Sequence, residues 1–316
     1  MKASYITAYG GKEVVAYGDI PDPVIKETGV IVRVKYASIN PVDYKIKSGA
    51  IKLISPSSFP RILGTDFSGI IEKTGAKVTG FKPGDHVYGA APIFFGKPGS
   101  LAELLFVESK NVRLIPEWLS FEDAASLPVA ALTALNGLRK GKTSTGKKVL
   151  INGATGGVGH FGLQIAKAKG AFVTATCSKN NAGFANSLGA DEVTGYSNDE
   201  LAALKGRYDV ILDAYGKMDH SLICLLLKRG GTYASTLFRP YSVFSALLVS
   251  LVYNKKLTSS NLRTLPEDFD DLEKMLLEKK VKPNIDKIFT LREADSAFEY
   301  AEKGRPKGKV MVSIGL

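Results

Sequence analysis

A glycine-rich turn near the middle of the chain constrains the fold more than any other feature of the sequence. The apolar run Lys148–Asn152 predicts a buried strand, and residues 158–169 have the period of an amphipathic helix. Between them, glycines let the backbone turn tightly and approach a pyrophosphate, to which a helix N-terminus offers free amides. An ordinary glycine-rich turn is the alternative. The strand–turn–helix order predicts a dinucleotide-binding turn formed by Ala154, Thr155, Gly156, Gly157, Val158 and Gly159.

The chain divides into two parts with different patterns. Residues 29–114 consist of short alternating runs split by glycine and proline, which predicts a small antiparallel β-barrel. After Trp118, a helical segment over residues 120–140 is followed by alternating strands and helices, which predicts a mostly parallel, doubly wound sheet. A chain of 316 residues also exceeds the usual size of one core. We predict two domains: residues 1–120 together with 258–316, and residues 121–257.

The composition excludes several classes of function. Two cysteines without a CxxC pair, Cys177 and Cys224, exclude a disulfide framework and a cysteine-built zinc site. The net charge of +11 would suit a polyanion, but the basic residues are spread over the chain and no nucleic-acid recognition motif accompanies them. No secretory signal is visible, and the most apolar stretch, residues 243–253, is shorter than the roughly 20 residues that cross a bilayer. We predict a cytoplasmic protein without a transmembrane segment.

The residues after the second predicted strand indicate which dinucleotide binds. Folds that bind NAD usually place Asp or Glu about 20 residues beyond the turn, where it holds the ribose 2′-hydroxyl. Here the sequence reads Cys177-Ser178-Lys179-Asn180-Asn181, and Asp191 comes too late for that role. A hydroxyl and a cation accept a 2′-phosphate that a carboxylate would repel. We therefore predict NADPH, with Ser178 and Lys179 at its phosphate; the alternative is that Lys179 points into solvent.

Five further motifs occur in a fixed order around this turn. They are residues 38–43, which contain Asn-Pro-x-Asp; residues 63–69, with Gly-x-Asp-x-x-Gly; residues 99–103, with Gly-x-x-Ala-Glu; residues 127–134; and the C-terminal Gly308-Lys309-Val310. Together they resemble the medium-chain dehydrogenase/reductase superfamily over nearly the whole chain. The resemblance is to its zinc-independent quinone oxidoreductase and enone reductase branch. It implies an α/β fold with a GroES-like β-barrel catalytic domain and a Rossmann domain.

The resemblance also implies that no metal takes part in catalysis. Zinc-dependent alcohol dehydrogenases of this superfamily carry Cys where Ser38 stands and Gly-His-Glu where Gly64, Thr65 and Asp66 stand. Three histidines without close pairing in the sequence argue against a zinc site. Without a Lewis acid, the reaction that remains is hydride transfer from NADPH to a quinone or to an α,β-unsaturated carbonyl, whose product anion is delocalised. Asp66 is interpreted as a structural hydrogen-bond acceptor.

Site residues follow from the matched motifs. The resemblance places Asn40 by the nicotinamide ribose and Thr133 near the carboxamide. It makes Tyr44 and Lys45 candidates for the catalytic site, with Lys45 as the donor to the substrate oxyanion; a surface lysine on a turn is the alternative. Related enzymes often have an arginine where Asn180 stands, so Lys179 and Tyr196 are expected to contact the phosphate instead. The remaining predicted cofactor-binding residue is Lys309, in the C-terminal Gly-Lys-Val.

Two other functions stay open at this stage. The chain could be a family member that binds NADPH with little turnover and serves a structural role, like a lens crystallin, or binds RNA; the basic charge is the feature in favour. A zinc alcohol dehydrogenase would require bound metal. The resemblance implies a homodimer, the commonest state in the family. It also implies a small-molecule quinone or enone as substrate.

Overall fold

The computed structural model describes residues 1–53, 55–56, 58–94, 96–237 and 253–315, and it divides into two compact units. We call Met1–Val129 with Ile285–Leu316 the barrel unit, and Ala130–Asn284 the nucleotide unit. The first predicted boundary, at 120/121, lies close to the observed one. The second lies at 284/285 instead of 257/258, because residues after 257 extend the sheet of the nucleotide unit and add a helix to it.

The barrel unit is built mainly from antiparallel strands. Its strands are β1 (Lys2–Ile6), β2 (Val15–Asp19), β3 (Gly29–Ile39), β4 (Arg61–Ile62), β5 (Asp66–Thr74), β6 (His86–Ala90), β7 (Leu104–Glu108), β8 (Val112–Leu114), β15 (Ile285–Thr290) and β16 (Lys309–Ser313). Its helices are α1 (Pro41–Lys47), α2 (Phe121–Ser126) and α9 (Ala294–Lys303). One sheet runs β15-β16-β3-β5-β6-β8 with β7 paired to β3, and the other runs β2-β1-β4. The barrel predicted from residues 29–114 is confirmed.

Strand β3 organises the barrel unit and positions its polar residues. Val30, Val32 and Val34 alternate along β3 and are buried in the core, whereas Arg33 faces solvent. The C-terminal end of β3 pairs with β5 on one side and with β16 on the other. This register sets Ser38 opposite both Asp66 and Met311. The start of β5 and the start of β16 therefore meet at the end of β3, where α1 begins.

The nucleotide unit is a parallel sheet with helices. Its strands are β9 (Lys148–Asn152), β10 (Phe172–Thr176), β11 (Glu192–Thr194), β12 (Tyr208–Asp213), β13 (Leu227–Ser235) and β14 (Lys256–Ser259). Its helices are α3 (Pro128–Lys140), α4 (Gly157–Ala168), α5 (Ala182–Ser187), α6 (Asn198–Ala202), α7 (His220–Leu226) and α8 (Pro266–Leu277). The strand order is β11-β10-β9-β12-β13-β14, all pairs being parallel. In order along the chain this is 3-2-1-4-5-6, the doubly wound order of dinucleotide-binding folds, so the predicted fold class is confirmed.

Two details differ from the sequence-based expectations. The helix expected over residues 120–140 is two helices, α2 and α3, which divide at Pro128, because proline has no amide hydrogen with which to continue the bonding of α2. Ser120 caps α2 as predicted, its side chain accepting a hydrogen bond from the amide of Asp123 at 3.1 Å. Among the residues described, none of the helices combines the length and the hydropathy needed to traverse a bilayer. Most of the apolar stretch predicted at 243–253 lies outside the described residues.

Candidate active site and nucleotide-binding turn

The predicted dinucleotide turn connects β9 to α4. Gly153 follows β9 with a φ of +77°, a conformation that side chains disfavour. Its amide donates to Thr176 Oγ1, and the amide of Ala154 donates to the Thr176 carbonyl, both at 3.0 Å. Gly156 is the N-cap of α4 and its amide donates to the Gly153 carbonyl at 3.2 Å. The end of β10 thus holds the turn in place, and the amides at 157–159 have no acceptor within the helix and can donate to a ligand.

Two glycines of the turn serve different purposes. A Cβ at Gly159 would lie 2.0 Å from the Gly153 carbonyl oxygen and 2.8 Å from Ala154 Cα, so α4 can start here only with glycine at this position. A Cβ at Gly156 would have one neighbour within 4 Å, the Gly153 carbonyl oxygen at 3.6 Å. Gly156 therefore borders open space, on the side where a pyrophosphate would approach the helix N-terminus. The turn fits the dinucleotide that the sequence predicts.

A buried polar network fixes the strand ends around the turn, and sequence reasoning missed it. Thr176 Oγ1 donates to Asn152 Oδ1, and Asn152 Nδ2 donates to Asp213 Oδ1, both at 2.7 Å. The Tyr233 hydroxyl donates to Asp213 Oδ2 at 2.7 Å. Asp213 also accepts from the backbone amides of Tyr215, Gly216 and Met218. The network joins β9, β10, β12 and β13 near their carboxyl ends. The sequence feature that could have indicated it is Asp213, a carboxylate at the end of a buried parallel strand.

The residues predicted to contact a 2′-phosphate follow β10. Ser178 is half-buried and Lys179 is exposed. Asn181, two residues further, donates from its side chain to Thr155 Oγ1 of the turn at 3.2 Å. This bond fastens the segment after β10 to the dinucleotide turn. Lys179 is therefore held on the same end of the sheet as the turn, with its ammonium in solvent.

A fixed carboxylate lies close to these residues. Hydrogen bonds from Ser197 lower the pKa of Glu200, and the positive charge of Lys179 contributes to the same effect. Glu200 Oε2 accepts from the Ser197 hydroxyl at 2.6 Å, in the capping box that begins α6. Tyr196, the other predicted phosphate contact, immediately precedes this capping box and is 51% exposed. The predicted phosphate site therefore contains a cation and an anion.

Thr133, the predicted carboxamide contact, lies on α3. Thr133 is buried, and its carbonyl accepts a hydrogen bond from the Ser260 hydroxyl. Asn136, one turn later, donates to the Asn261 carbonyl at 2.7 Å. Residues 260–261 follow β14, so α3 is tied to the last strand of the sheet.

In the barrel unit, Asp66 is the centre of a buried polar cluster. Its Oδ2 accepts from Ser38 Oγ and from Asn40 Nδ2, each at 2.8 Å, and lies 3.3 Å from Lys309 Nζ. Its Oδ1 accepts from the amide of Val129 at 2.9 Å. The side chain of Asp66 is fully buried. A carboxylate with four donors, one of which is the compensating ammonium of Lys309, serves as an acceptor, as the sequence interpretation expected.

Asn40 and Lys309, both predicted to contact the cofactor, contact each other. Lys309 Nζ donates to Asn40 Oδ1 at 2.7 Å, and the two residues are 3% and 2% exposed. Burial lowers the pKa of Lys309, and the charge of Asp66 opposes that effect. Lys309 therefore acts within the barrel unit by orienting the Asn40 amide, instead of presenting its ammonium at the surface.

The Asn-Pro-x-Asp motif begins α1 and binds the Gly-Thr-Asp motif. Asp43 is fully buried, and its carboxylate accepts from the amide of Asn40 at 2.7 Å, from Thr65 Oγ1 at 2.9 Å and from the amide of Gly64 at 3.2 Å. Pro41 at the first position supplies a helical φ and needs no acceptor. Burial raises the pKa of Asp43 to about 7. Asp43 thus explains why these two motifs occur together.

Tyr44 and Lys45, the candidate catalytic residues, occupy the middle of α1. Both side chains are half-buried, and Tyr44 packs against the core of the barrel unit. Because Asn40 is the N-cap of the same helix, the structure places the three predicted catalytic residues within two turns of one element. Among the described residues, no group of three or more His, Cys, Asp or Glu side chains is arranged to bind a metal ion.

Comparison with known proteins extends over the whole chain. A model described as alcohol dehydrogenase GroES-like domain matches residues 26–117, and one described as zinc-binding dehydrogenase matches residues 188–312. A chloroplast envelope quinone oxidoreductase homolog from Arabidopsis thaliana is 34% identical over 99% of this chain and 98% of its own length. The chain belongs to the medium-chain dehydrogenase/reductase superfamily.

Other members of the superfamily place the chain in its quinone oxidoreductase and enone reductase branch. A 2-methylene-furan-3-one reductase from Solanum lycopersicum is 36% identical over 99% of this chain and 79% of its own length. The structure of the quinone oxidoreductase from Coxiella burnetii has a TM-score of 0.90 at 32% identity, and covers 100% of this chain and 99% of that one. As a member of this branch, the chain is an oxidoreductase with a nicotinamide cofactor. The homodimer and the cytoplasmic location stay predictions.

The raised pKa of Asp43 predicts a pH-dependent stability. The folded protein binds the Asp43 proton more tightly than the unfolded chain, whose ordinary pKa is 3.8, so the free energy of unfolding falls as pH rises from 3.8 towards about 7. The contribution is at most about 4 kcal/mol. Urea unfolding at a series of pH values should show this fall in the wild type and a smaller one in Asp43→Asn. Equal pH dependence in both proteins would contradict the assignment.

The glycines of the turn predict two separable phenotypes. Gly159→Ala forces a Cβ against the Gly153 carbonyl, so the free energy of unfolding should fall by about 3 kcal/mol. Gly156→Ala meets open space, so its stability should stay within about 0.5 kcal/mol of the wild type. The same methyl group occupies the approach of the pyrophosphate, and the Kd for NADPH should rise about tenfold. Thermal unfolding and fluorescence titration measure the two effects. Unchanged NADPH affinity in Gly156→Ala would refute the turn as the binding site.

Proposed function

We propose that this member of the superfamily is an NADPH-dependent reductase of quinones or of the C=C bond of α,β-unsaturated carbonyls, and that it transfers hydride without zinc. The observation that carries the proposal is the bonding of Asp66 in the barrel unit. Its two oxygens are taken by Ser38, Asn40, Lys309 and the backbone of Val129. The chain thus uses, for an internal polar cluster, the positions where zinc dehydrogenases are expected to carry ligands.

The chemistry of these donors supports a metal-free reaction. Zinc sites in proteins are built from Cys, His and carboxylate ligands. Of the positions that match the zinc ligands of relatives, Ser38 and Thr65 offer hydroxyl groups that already donate to Asp66 and Asp43. The Lys309 ammonium, 3.3 Å from Asp66, neutralises the remaining carboxylate and would repel a divalent cation. These residues suit the positioning of Asn40 better than the binding of zinc.

The substrate class follows from the absence of a Lewis acid in this proposal. When bound, the nicotinamide supplies the hydride. The acceptor then has to delocalise the resulting negative charge itself, as a quinone or an enone does by forming a phenolate or an enolate. The side chains of Tyr44 and Lys45 are the donors of α1 proposed to hydrogen-bond that oxyanion. The names of two relatives, a quinone oxidoreductase homolog and a 2-methylene-furan-3-one reductase, support the same two substrate classes.

A preference for NADPH is supported by the residues that follow β10. No carboxylate stands where NAD-binding folds usually place one for the ribose 2′-hydroxyl, and Ser178 and Lys179 occupy the positions instead. Asn181 fastens this segment to Thr155 of the turn. Glu200 lies within electrostatic reach of Lys179 and is expected to reduce the preference without reversing it.

The proposed function predicts that NADPH oxidation requires a quinone or an enone and does not require a metal ion. Purified protein should oxidise NADPH in the presence of quinones or enones, remain active after dialysis against a chelator, and contain less than about 0.1 zinc per chain by elemental analysis. Simple secondary alcohols should not reduce NADP⁺. Tight NADPH binding without turnover on the whole panel would favour a binding role instead. Stoichiometric zinc whose removal abolishes activity would refute the metal-free reaction.

The assignment of Lys179 predicts a change in cofactor preference. In Lys179→Ala the ratio of the Kd for NADH to that for NADPH should fall about tenfold, because a charge-assisted bond to the 2′-phosphate is lost while NADH has no such group. Lys205→Ala, at another exposed lysine of the nucleotide unit, is the matched control and should leave the ratio unchanged. If both variants keep the wild-type ratio, Lys179 has no role in recognising the phosphate.

A further inference from the structure

His160 lies on α4, one turn after the N-cap, and has no part in the function described so far. It is fully buried, and its ring lies 3.9 Å from the ring of Phe161, measured between centroids. Its Nδ1 is 3.0 Å from the carbonyl oxygen of Gly156, and its Nε2 is 3.4 Å from the backbone nitrogen of Asn284. The imidazole therefore bridges the dinucleotide turn and a segment more than a hundred residues later, just before β15.

These two contacts define which ring nitrogen carries the proton. A carbonyl oxygen only accepts, so Nδ1 is the protonated nitrogen and donates to Gly156. A backbone amide only donates, so Nε2 is unprotonated and accepts from Asn284. The neutral ring with its proton on Nδ1 satisfies both contacts at once. The amide of Asn284 thus selects the tautomer that can donate to the turn.

The contact with Gly156 helps to fix an amide that the pyrophosphate needs. The Gly156 carbonyl already accepts the first helical bond, from the backbone amide of His160 at 3.0 Å, and the imidazole adds a second donor to the same oxygen. The carbonyl of Gly156 and the N–H of Gly157 belong to one planar trans peptide and point in opposite directions. Holding the carbonyl towards the helix therefore aims the Gly157 N–H out of the N-terminus of α4, where a phosphate would accept it. The peptide joins two glycines, Gly156 and Gly157. Because glycine has no Cβ, the backbone restricts the rotation of this peptide less than it would between residues with side chains.

The far end of the bridge is itself anchored to α4. Gln164 Oε1 accepts from the amide of Lys282 at 2.9 Å, and Gln164 Nε2 donates to the Lys282 carbonyl at 3.0 Å. Gln164 Nε2 also lies 3.0 Å from the carbonyl of His160. Two side chains one turn apart on α4 thus hold residues 282–284 against the helix, and both belong to the nucleotide unit.

We infer that His160 is a positioning residue for the pyrophosphate-binding amides, and that it couples occupancy of the turn to the backbone at 282–284. The inference rests on the proposed dinucleotide site. Fixing the Gly156–Gly157 peptide in advance spares the cofactor the cost of ordering it, so the effect belongs to NADPH affinity and not to the chemical step. Conversely, a bound pyrophosphate stabilises the same peptide and, through the imidazole, the contact with Asn284.

Three substitutions separate the two arms of the bridge. The side-chain amide of Asn in His160→Asn occupies the place of Nδ1 and can still donate to Gly156, but does not reach Asn284. The longer side chain of His160→Gln can accept from Asn284 with its oxygen, but has no donor at the place of Nδ1. His160→Phe keeps an aromatic ring beside Phe161 and has neither contact. Thermal unfolding of each variant gives its stability independently of the ligand.

The readouts are the Kd and KM for NADPH, kcat at saturating NADPH, and hydrogen exchange at the amides of residues 282–284 with and without NADPH. We expect His160→Gln and His160→Phe to raise the Kd and KM about tenfold while kcat changes less than about twofold, and His160→Asn to restore the affinity to within about threefold. NADPH should slow exchange at 284 in the wild type but not in His160→Asn.

Equal NADPH affinity in the wild type and in His160→Gln would overturn the positioning role. Exchange at 284 that NADPH slows equally in His160→Asn would overturn the coupling. If His160→Phe does not fold, the comparison of His160→Asn with His160→Gln carries the test alone. A wild-type protein that binds neither NADPH nor NADH would overturn the proposed function together with this inference, whereas binding that is unaffected by any variant would overturn the inference only.

Discussion

The nucleotide unit depends on one close approach between backbone atoms, that of α4 to the turn after β9. At Gly159 the helix lies so near to the Gly153 carbonyl that any side chain would overlap it. This approach sets the amides at 157–159 above the end of β9, at the switch point of the sheet where doubly wound folds bind their ligands. The polar network around Asp213 then joins the neighbouring strand ends to the turn. In the proposed function, this unit binds the dinucleotide through backbone donors that neighbouring side chains hold in place.

The barrel unit buries two charged side chains, Asp66 and Lys309. Asp66 and Lys309 are fully buried and lie 3.3 Å apart, and Asn40 bonds to both. Burying either charge alone would cost several kcal/mol, because the charge would lose its water without gaining a partner. In the cluster, the two charges neutralise each other and the surrounding donors satisfy both oxygens of Asp66. The same bonds orient the Asn40 amide at the start of α1. We therefore attribute the order of α1, the helix proposed to carry the catalytic residues, to a charge pair from two strands that are far apart in the sequence, β5 and β16.

Much of this arrangement could be predicted from the sequence, because it depends on local patterns. The strands β9 and β10, the turn between β9 and α4, and the cap of α2 at Ser120 are each encoded within a few residues. The partner of Asn40 could not be read in this way, since Lys309 is 269 residues away. The motif Gly-Lys-Val predicts a cofactor contact for Lys309, which stays a prediction, but the motif does not indicate that the side chain is buried beside Asn40. The second domain boundary was misplaced for a similar reason, as the pairing of β14 with β13 is a long-range contact.

The central claim is that backbone amides at residues 157–159 hold the dinucleotide and that the Asp66 cluster leaves no place for zinc. A crystal soaked with NADPH, with diffraction data collected on both sides of the zinc absorption edge, tests both parts in one measurement. The account predicts density for the pyrophosphate at the N-terminus of α4 and no anomalous peak near Ser38 and Asp66. An empty turn in crystals that contain NADPH elsewhere, or a zinc peak beside Asp66, would contradict it.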